Sequence, residues 1–370
     1  MMVMRKALLI TGNSIHNANM YYFTKFLTSS SMVYIKGDKK EFIVLSQMEV
    51  ERAKKESKIL DIRSTADYGF KEMVKKYGPK KARYELLYKI LHEEGISSIN
   101  VPNDFSFYVA GELKKKGVGI HLAEELDRDR EVKSEVEIEC ITRTQRACEK
   151  AMRAALNVIK GADVTSDKLN ITSEQVKTII EHELVDNQCR MEDPIVSCGE
   201  QSSNPHCVGS GALLQDAPIL IDIFPYHKKE RYYADMSRTF LRGTPAPEIK
   251  EMYRTVLDAQ EVAFNTIRAG VTGEDVHNAV CDLFEERGYG TDRANAKIGF
   301  IHSTGHGIGL DIHENPSLSE GGSELRAGNV ITVEPGLYDP KFGGVRIEDL
   351  VVVTNRGHQN LTKFPKQLVI

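Results

Sequence analysis

The 370-residue sequence predicts a two-domain α/β (α+β) protein, with a smaller N-terminal α/β domain over residues 1–130 and a larger C-terminal domain over 131–370 built from two αβ halves of similar order. Three observations predict it. The length exceeds what one hydrophobic core ordinarily serves. The first 130 residues alternate short β-branched or apolar runs with helical stretches. The remainder twice passes through a helix pair and then through strand-like segments, a duplication of pattern rather than of identity.

Taken in order, residues 31–35 and 41–45 read as neighbouring strands around the Gly37-Asp38 turn. Residues 81–94 read as a helix ended by Gly95, and 98–101 as the strand after it. The charged run 127–131 reads as a linker. Ser134-x-x-Glu137 is a capping box that opens a long amphipathic helix to about Lys160. Thr172-x-x-Gln175 opens a second, with Val176, Ile179, Ile180 and Leu184 on one face. The order then recurs: a helix from Pro247 to near Gly270, then Thr272-x-x-Asp275 opening a helix that stops at Gly288.

Composition narrows the functional classes. Apolar content of 41% and charged content of 28% are those of an ordinary globular chain. A formal charge of -4, from 49 basic and 53 acidic residues, offers no field for nucleic acid. The apolar run 7–10 is too short for a signal segment or a membrane span, so no membrane partner is expected. Six cysteines without CxxC spacing read as reduced thiols of a cytoplasmic protein.

The chemistry lies in carboxylates placed on apolar strands. Asp222 and Glu334 each occur at the end of a β-run, and Glu348 lies inside one. An unpaired buried carboxylate costs several kcal/mol or takes up a proton. Glu334 and Glu348 are equidistant from residue 341 in a turn-rich segment, so a symmetric hairpin sets them opposite each other. Asp222 and Asp235 are similarly disposed about residues 227–230. Four facing acids call for about four positive charges, which two divalent cations would supply. His306, in Gly305-His306-Gly307-Ile308-Gly309, offers a nitrogen ligand from a loop whose glycines permit close backbone approach and unusual dihedrals. Such a hard donor set suits Mn, Co, Fe or Zn. Arg346 shares a strand face with Glu348, near the cations or holding a ligand. Ser237 and Thr239 share a face with Asp235 and can donate to it. His206 and His313 are further candidates for the site.

The segments Asp222…Ala234-Asp235-Met-Ser-Arg-Thr239, His302-Ser-Thr-Gly-His306-Gly-Ile-Gly309, His313-Glu-Asn-Pro316, Glu334-Pro-Gly336 and Gly344-Val-Arg-Ile-Glu348-Asp349 resemble, in order, the metal-site motifs of the pita-bread metallopeptidases. That family includes prolidase, aminopeptidase P and methionine aminopeptidase. A preceding domain of about 130 residues resembles the prolidase and aminopeptidase P branch. The resemblance implies a pita-bread catalytic domain and two divalent ions per chain, Mn or Co, with Zn or Fe as alternatives. It makes Asp222, Asp235, His306, Glu334 and Glu348 the ligands, with Asp235 and Glu348 bridging. A hydroxide between the ions would attack the bond before proline. Glu334 would also handle the proton, His206 and His313 would bind substrate and stabilise the tetrahedral intermediate, and His302 would give outer support. The implied substrate is a peptide with proline second, and the implied assembly is a homodimer.

Three departures stand out. Asp222-Ile-Phe224 replaces the usual Asp-x-Gly, and the gap from Asp222 to Asp235 is two residues longer than usual, an even insertion that preserves strand parity. Archaeal-type prolidases carry an arginine after the third motif that holds the dipeptide carboxylate, whereas this chain has Ser317. An aminopeptidase acting on longer Xaa-Pro peptides is therefore the alternative activity. A non-catalytic pita-bread binding protein and a metal-independent hydrolase of creatinase type are the alternatives from other classes.

Overall fold

The computed structural model describes residues 5–370, which fall into two compact units dividing between Asp129 and Arg130. The N-terminal unit is a six-stranded mixed sheet in the order Asp61–Ser64, Glu41–Leu45, Met32–Gly37, Arg5–Gly12, Ile96–Val101, Gly119–Leu122. The expected strand pair is present, with Val33 opposite Val44 and Ile35 opposite Phe42. Both sheet faces are covered, because successive residues of a strand point to opposite sides. Ala7 and Leu9 join a core with Leu87, Ile90 and Leu91 of the helix Pro79–Glu93. Ile10 joins another with Met20 and Phe23 of the helix Ala18–Thr24. Gly95, at φ 66°, ends the chain's helical run as expected.

Residues 127–131, read as a linker, contain the boundary between the two units and are partly helical. Arg128–Glu131 forms one helical turn, started by an Arg128 N–H to Glu125 O bond and an Arg128–Glu125 ion pair at 2.6 Å.

The C-terminal unit repeats one construction twice. Helices Glu135–Gly161 and Ser173–Asp186 pack on the strands Ile195–Cys198, Ile219–Ile223 and Met236–Phe240 around Met152, Ile180, Ile221 and Phe240. Helices Pro247–Thr266 and Gly273–Glu286 pack on a second sheet that includes Val330–Val333 and Asp349–Thr354, around Val256, Val280, Ile331 and Val351. Three of the four helices start with a complete capping box, at Ser134, Thr172 and Thr272. Reciprocal side-chain bonds there satisfy amide donors that have no partner within the helix. On the second helix Val176, Ile180 and Leu184 are buried, while Ile179 stays half-exposed at the edge of the stripe.

Arg238 ties the two halves to the C-terminal segment. Its side chain is buried and donates to Ser237 O, Glu348 O, Phe364 O and Pro365 O while pairing with Asp349 at 2.7 Å. Replacing it by an apolar residue leaves several buried acceptors short of a donor, a loss of about 3–5 kcal/mol for a broken buried pair. Arg238→Leu should therefore lower the denaturation midpoint of the C-terminal unit sharply in a urea titration followed by circular dichroism. An unchanged midpoint would show the cluster to be energetically neutral.

Candidate metal centre

The five candidate ligands stand on or beside five strands of the C-terminal unit. On one side the ladder pairs Val330 with Val352 through Val333 with Asp349, and on the other it pairs Gly336 with Arg346 through Asp339 with Gly343. All these pairs are symmetric about residue 341, so Glu334 faces Glu348 as the hairpin arithmetic predicts. Between the ladders the pairing loosens to one long bond, from the Ile347 N–H to Pro335 O at 3.5 Å. The Glu334 N–H bonds to Thr304 O at 2.8 Å and the Glu348 N–H to Ser237 O at 3.0 Å. These outward bonds join the hairpin to the His306 segment on one side and to the aspartate strands on the other; the expected His306 loop is a short strand, Gly305–Gly307, paired on both sides.

The aspartate pair differs from expectation. Asp222 lies opposite Ser237, not Asp235, because the ladder runs from Ile219 opposite Phe240 to Ile223 opposite Met236. The turn is centred one residue later than assumed: Arg231, at φ 66°, returns its N–H to His227 O, and His227 donates to Tyr232 O. The register moves by two, and an even shift keeps both acids on one face. Asp222 and Asp235 are diagonal neighbours.

His306 Nε2 lies 3.3 Å from Glu334 Oε1 and 3.8 Å from Asp235 Oδ2. Donor atoms of Asp235, His306 and Glu348 all lie within 4.8 Å of one another. His306 Nδ1 faces Gly307 O at 3.1 Å and donates to it, so Nε2 is the nitrogen turned to the acids: protonated it pairs with Glu334, and deprotonated it offers its lone pair to a cation. The flanking glycines act through space rather than through unusual dihedrals. A Cβ on Gly305 would strike Thr332 O, and one on Gly307 would strike Asn315 O; neither glycine has positive φ.

Arg346 is buried and grips Asp222 Oδ2 at 2.7 Å, Ser237 Oγ at 2.8 Å and Tyr338 Oη at 2.8 Å. His302 donates from Nδ1 to Ser303 O and accepts from the Tyr338 hydroxyl at 2.9 Å. Ser237 donates to Glu348 Oε2 at 2.9 Å and Thr239 donates to Arg346 O, so neither serves Asp235 as expected. Both hydroxyls are drawn across to the neighbouring strand. The His313 ring meets that of His306 edge-on, 4.4 Å between centroids. His206 is exposed, with its backbone N–H on Asn204 Oδ1.

Charge is uncompensated here. Asp222 Oδ1, Asp235 Oδ1 and Glu348 Oε1 are buried without a hydrogen-bond partner. Burial, then repulsion from Glu348, Asp222 and Glu334, pushes Asp235 well above the usual carboxylate range. Burial, then Glu334 and Asp222, does the same to Glu348. Burial also raises Asp222, although Arg346 opposes it. For Glu334 burial acts upward, but the hydrogen bond and charge of His306, with His302 and Arg346, outweigh it and hold this acid at about 2. Asp235 and Glu348, each with a bare oxygen, gathered at the His306 nitrogen, with a further bare oxygen on Asp222, are the donor set a hard or borderline divalent cation takes.

Tyr338 and Arg238 escaped the sequence reading. Tyr338 was recoverable, since the same hairpin arithmetic sets it opposite Gly344, on the face that carries Arg346. Glu314 was also missed. It accepts the Leu310 and Asp311 N–H groups and pairs with Lys133 at 3.0 Å and Arg130 at 3.3 Å.

Comparison with known proteins places this geometry. Residues 139–355 match Metallopeptidase family M24, and residues 5–125 match the Creatinase/Prolidase N-terminal domain. The chain belongs to metallopeptidase family M24. It is 32% identical over 361 residues to the Xaa-Pro dipeptidase of Pyrococcus horikoshii, covering 95% of this chain and 92% of the relative. It is 31% identical to an uncharacterized peptidase of Bacillus subtilis over 98% of this chain and 95% of that protein. The crystal structure of the prolidase from Pyrococcus horikoshii superposes with a TM-score of 0.81 at 30% identity, covering 98% and 95%. That of the X-Pro aminopeptidase from Thermotoga maritima does so at 0.81 and 27% identity, covering 99% and 98%.

Cation binding to these acids displaces protons. Asp235 and Glu348 start from 3.8 and 4.5 in an unfolded chain and are raised on folding. Within that window the cation-free folded protein holds more protons than the unfolded chain, so its stability falls as pH rises. Glu334 runs oppositely: its contribution is present above 4.5 and is lost as pH falls through about 2. The rise in Tm when Mn(II) is added to chelator-treated protein should therefore be larger at about pH 7.5 than at about pH 5. Proton uptake or release measured in weak buffer should show release. A pH-independent Tm shift without proton release would contradict this electrostatic reading.

Proposed function

We propose that this M24 metallopeptidase hydrolyses the Xaa-Pro bond of dipeptides with two divalent ions per chain, Mn or Co, held by Asp222, Asp235, His306, Glu334 and Glu348. The observation that carries the ligand set is the gathering of Asp235 and Glu348, each with an unpartnered buried oxygen, around His306, with a third such oxygen on Asp222. Asp235 and Glu348 would bridge, Asp222 would complete one site, and His306 with Glu334 the other. When bound, the ions acidify a water molecule and polarise the scissile carbonyl, so no serine or cysteine nucleophile is required.

The remaining roles belong to side chains. Arg346 fixes one oxygen of Asp222, and Ser237 fixes one oxygen of Glu348, which leaves the other oxygen of each for a cation. Glu334, held ionised at neutral pH, accepts a proton at its carboxylate. His313 is kept neutral by burial and then by the charge of His306, so its ring can both accept and donate a hydrogen bond to substrate. His206, exposed after the 3-10 turn Gly199–Ser203, is assigned to substrate binding by the resemblance of the chain to the family. Proline supplies no amide N–H, so recognition has to rest on the carbonyl, the ring and the termini.

The reading is supported by kinship with the Xaa-Pro dipeptidase of Pyrococcus horikoshii. A second reading, trimming of longer Xaa-Pro peptides, is favoured by Ser317. Its hydroxyl is engaged with Ser319 Oγ at 2.9 Å and brings no cation for a dipeptide carboxylate. The homodimer belongs to the proposal, as does a reducing compartment, to which six free cysteines are suited. No helix among the described residues is long and apolar enough to cross a membrane.

Met-Pro should be split to free methionine and proline in the presence of Mn(II), and exhaustive chelation should abolish this. Efficient release of the first residue from a longer Xaa-Pro-Xaa peptide would move the assignment to an aminopeptidase. Glu348→Ala should lower kcat/KM by about 100-fold or more, while Arg346→Met, which releases Asp222 together with Ser237 and Tyr338, should cost about 10–100-fold and weaken metal retention. Full activity of Glu348→Ala would sink the mechanism.

A further inference from the structure

We propose that His277, Cys281 and Asp292 form a separate site for a thiophilic divalent cation of the zinc type. His277 and Cys281 lie one helical turn apart on the helix Gly273–Glu286, and Asp292 starts the 3-10 turn Asp292–Ala294. Their donor atoms form a closed triangle. His277 Nε2 is 3.2 Å from Asp292 Oδ1, Cys281 Sγ is 3.5 Å from His277 Nε2, and Cys281 Sγ is 3.6 Å from Asp292 Oδ1. Tetrahedral zinc with ordinary Zn–S, Zn–N and Zn–O bonds sets its ligand atoms about 3.3–3.6 Å apart. The three edges fall at that spacing before any ion arrives.

Protons alone serve the triangle poorly. If Nε2 carries the imidazole proton, it donates to Asp292 and the thiol can bond only to the carboxylate, which leaves sulfur and nitrogen in contact without a full bond. If Nδ1 carries it, donating to Thr304 Oγ1 at 2.9 Å, the bare Nε2 faces the bare carboxylate. A cation at the centre relieves both arrangements and requires the second tautomer. The outer bond from Nδ1–H to Thr304 is then of the kind that orients metal-bound histidines.

The surroundings permit entry. His277 and Cys281 are buried, whereas the Asp292 side chain retains 30% of its exposure and opens a path for the ion and a fourth, water ligand. Asp292 Oδ1 also accepts the Arg293 N–H, and the Arg293 guanidinium is occupied by Asp282 and Glu285, both at 2.7 Å. A nucleophilic Cys–His–Asp triad is the competing reading. Burial, then Asp292, holds the Cys281 thiol up at about 12, which makes it inert as a nucleophile in the absence of a cation. On binding, the thiol proton passes to solvent and sulfur binds as thiolate.

Thr304 connects this site to the centre described above. Its carbonyl accepts the Glu334 N–H, and it lies two residues before His306. Occupancy would therefore be felt at the peptidase ligands, which gives a thiophilic ion a route to alter activity from outside the carboxylate cluster.

The test is titration of the chelator-treated full-length protein with Co(II), read by the near-ultraviolet thiolate-to-cobalt charge-transfer band. This band reports sulfur ligation whatever number of ions the carboxylate centre takes, so its outcome is distinct from that of the peptidase assignment. It should appear in wild type and persist in Cys148→Ala, whose thiol lies in the field of Asp235 and Asp222. It should vanish in Cys281→Ser. In Asp292→Asn, a change at a half-exposed turn that spares the core, the Co(II) concentration at half-saturation should rise about tenfold or more. Absence of the band from wild type, its survival in Cys281→Ser, or an unchanged midpoint in Asp292→Asn would overturn the site.

Discussion

Four carboxylates gathered inside the C-terminal unit, faced by one guanidinium and one imidazole, are the constraint on which the rest of this unit depends. Burial makes each negative charge expensive, and their proximity makes each worse for the others. Arg346 takes up Asp222, and His306 takes up Glu334. Asp235 and Glu348 keep an oxygen each with no partner. The β-frame has to hold these groups against their mutual repulsion. It does so with main-chain bonds, most directly the Glu334 N–H on Thr304 and the Glu348 N–H on Ser237.

Those two bonds also explain the shape of the site. Glu334 and Glu348 form a non-hydrogen-bonded pair of the hairpin, so their amides point away from each other. The hairpin thereby becomes the link between the short His306 strand and the aspartate strands. Arg346, Tyr338 and His302 then form a polar chain behind the acids that fixes which oxygen of Asp222 is free. Duplication of the helix-pair-on-sheet plan supplies two cores, one on each side of this seam. A polar centre is tolerated because apolar packing on both sides carries the stability.

Much of this was legible because period and parity survive local error. The capping boxes at Ser134, Thr172 and Thr272 announce helix starts by a local rule that tertiary contacts do not override. The 334/348 pairing follows from counting about residue 341. The 222/235 count was off by two, since the left-handed Arg231 moves the turn, yet the inference that both acids share a face survived. The donors proposed for Asp235 failed for a different reason. Facing the same side along a strand does not say which neighbouring strand a hydroxyl will meet, and Ser237 meets Glu348.

The sequence by itself determined the elements, their amphipathic faces and the chemical types at the centre, because helix caps, turn residues and strand alternation act over a few residues. Tertiary structure decided which oxygens are engaged and which are left bare, where Arg346 spends its donors, and that His277, Cys281 and Asp292 close into a triangle. Those outcomes depend on the register between segments tens of residues apart, which only packing sets. The polar chain from His302 through Tyr338 to Arg346 exists for the same reason.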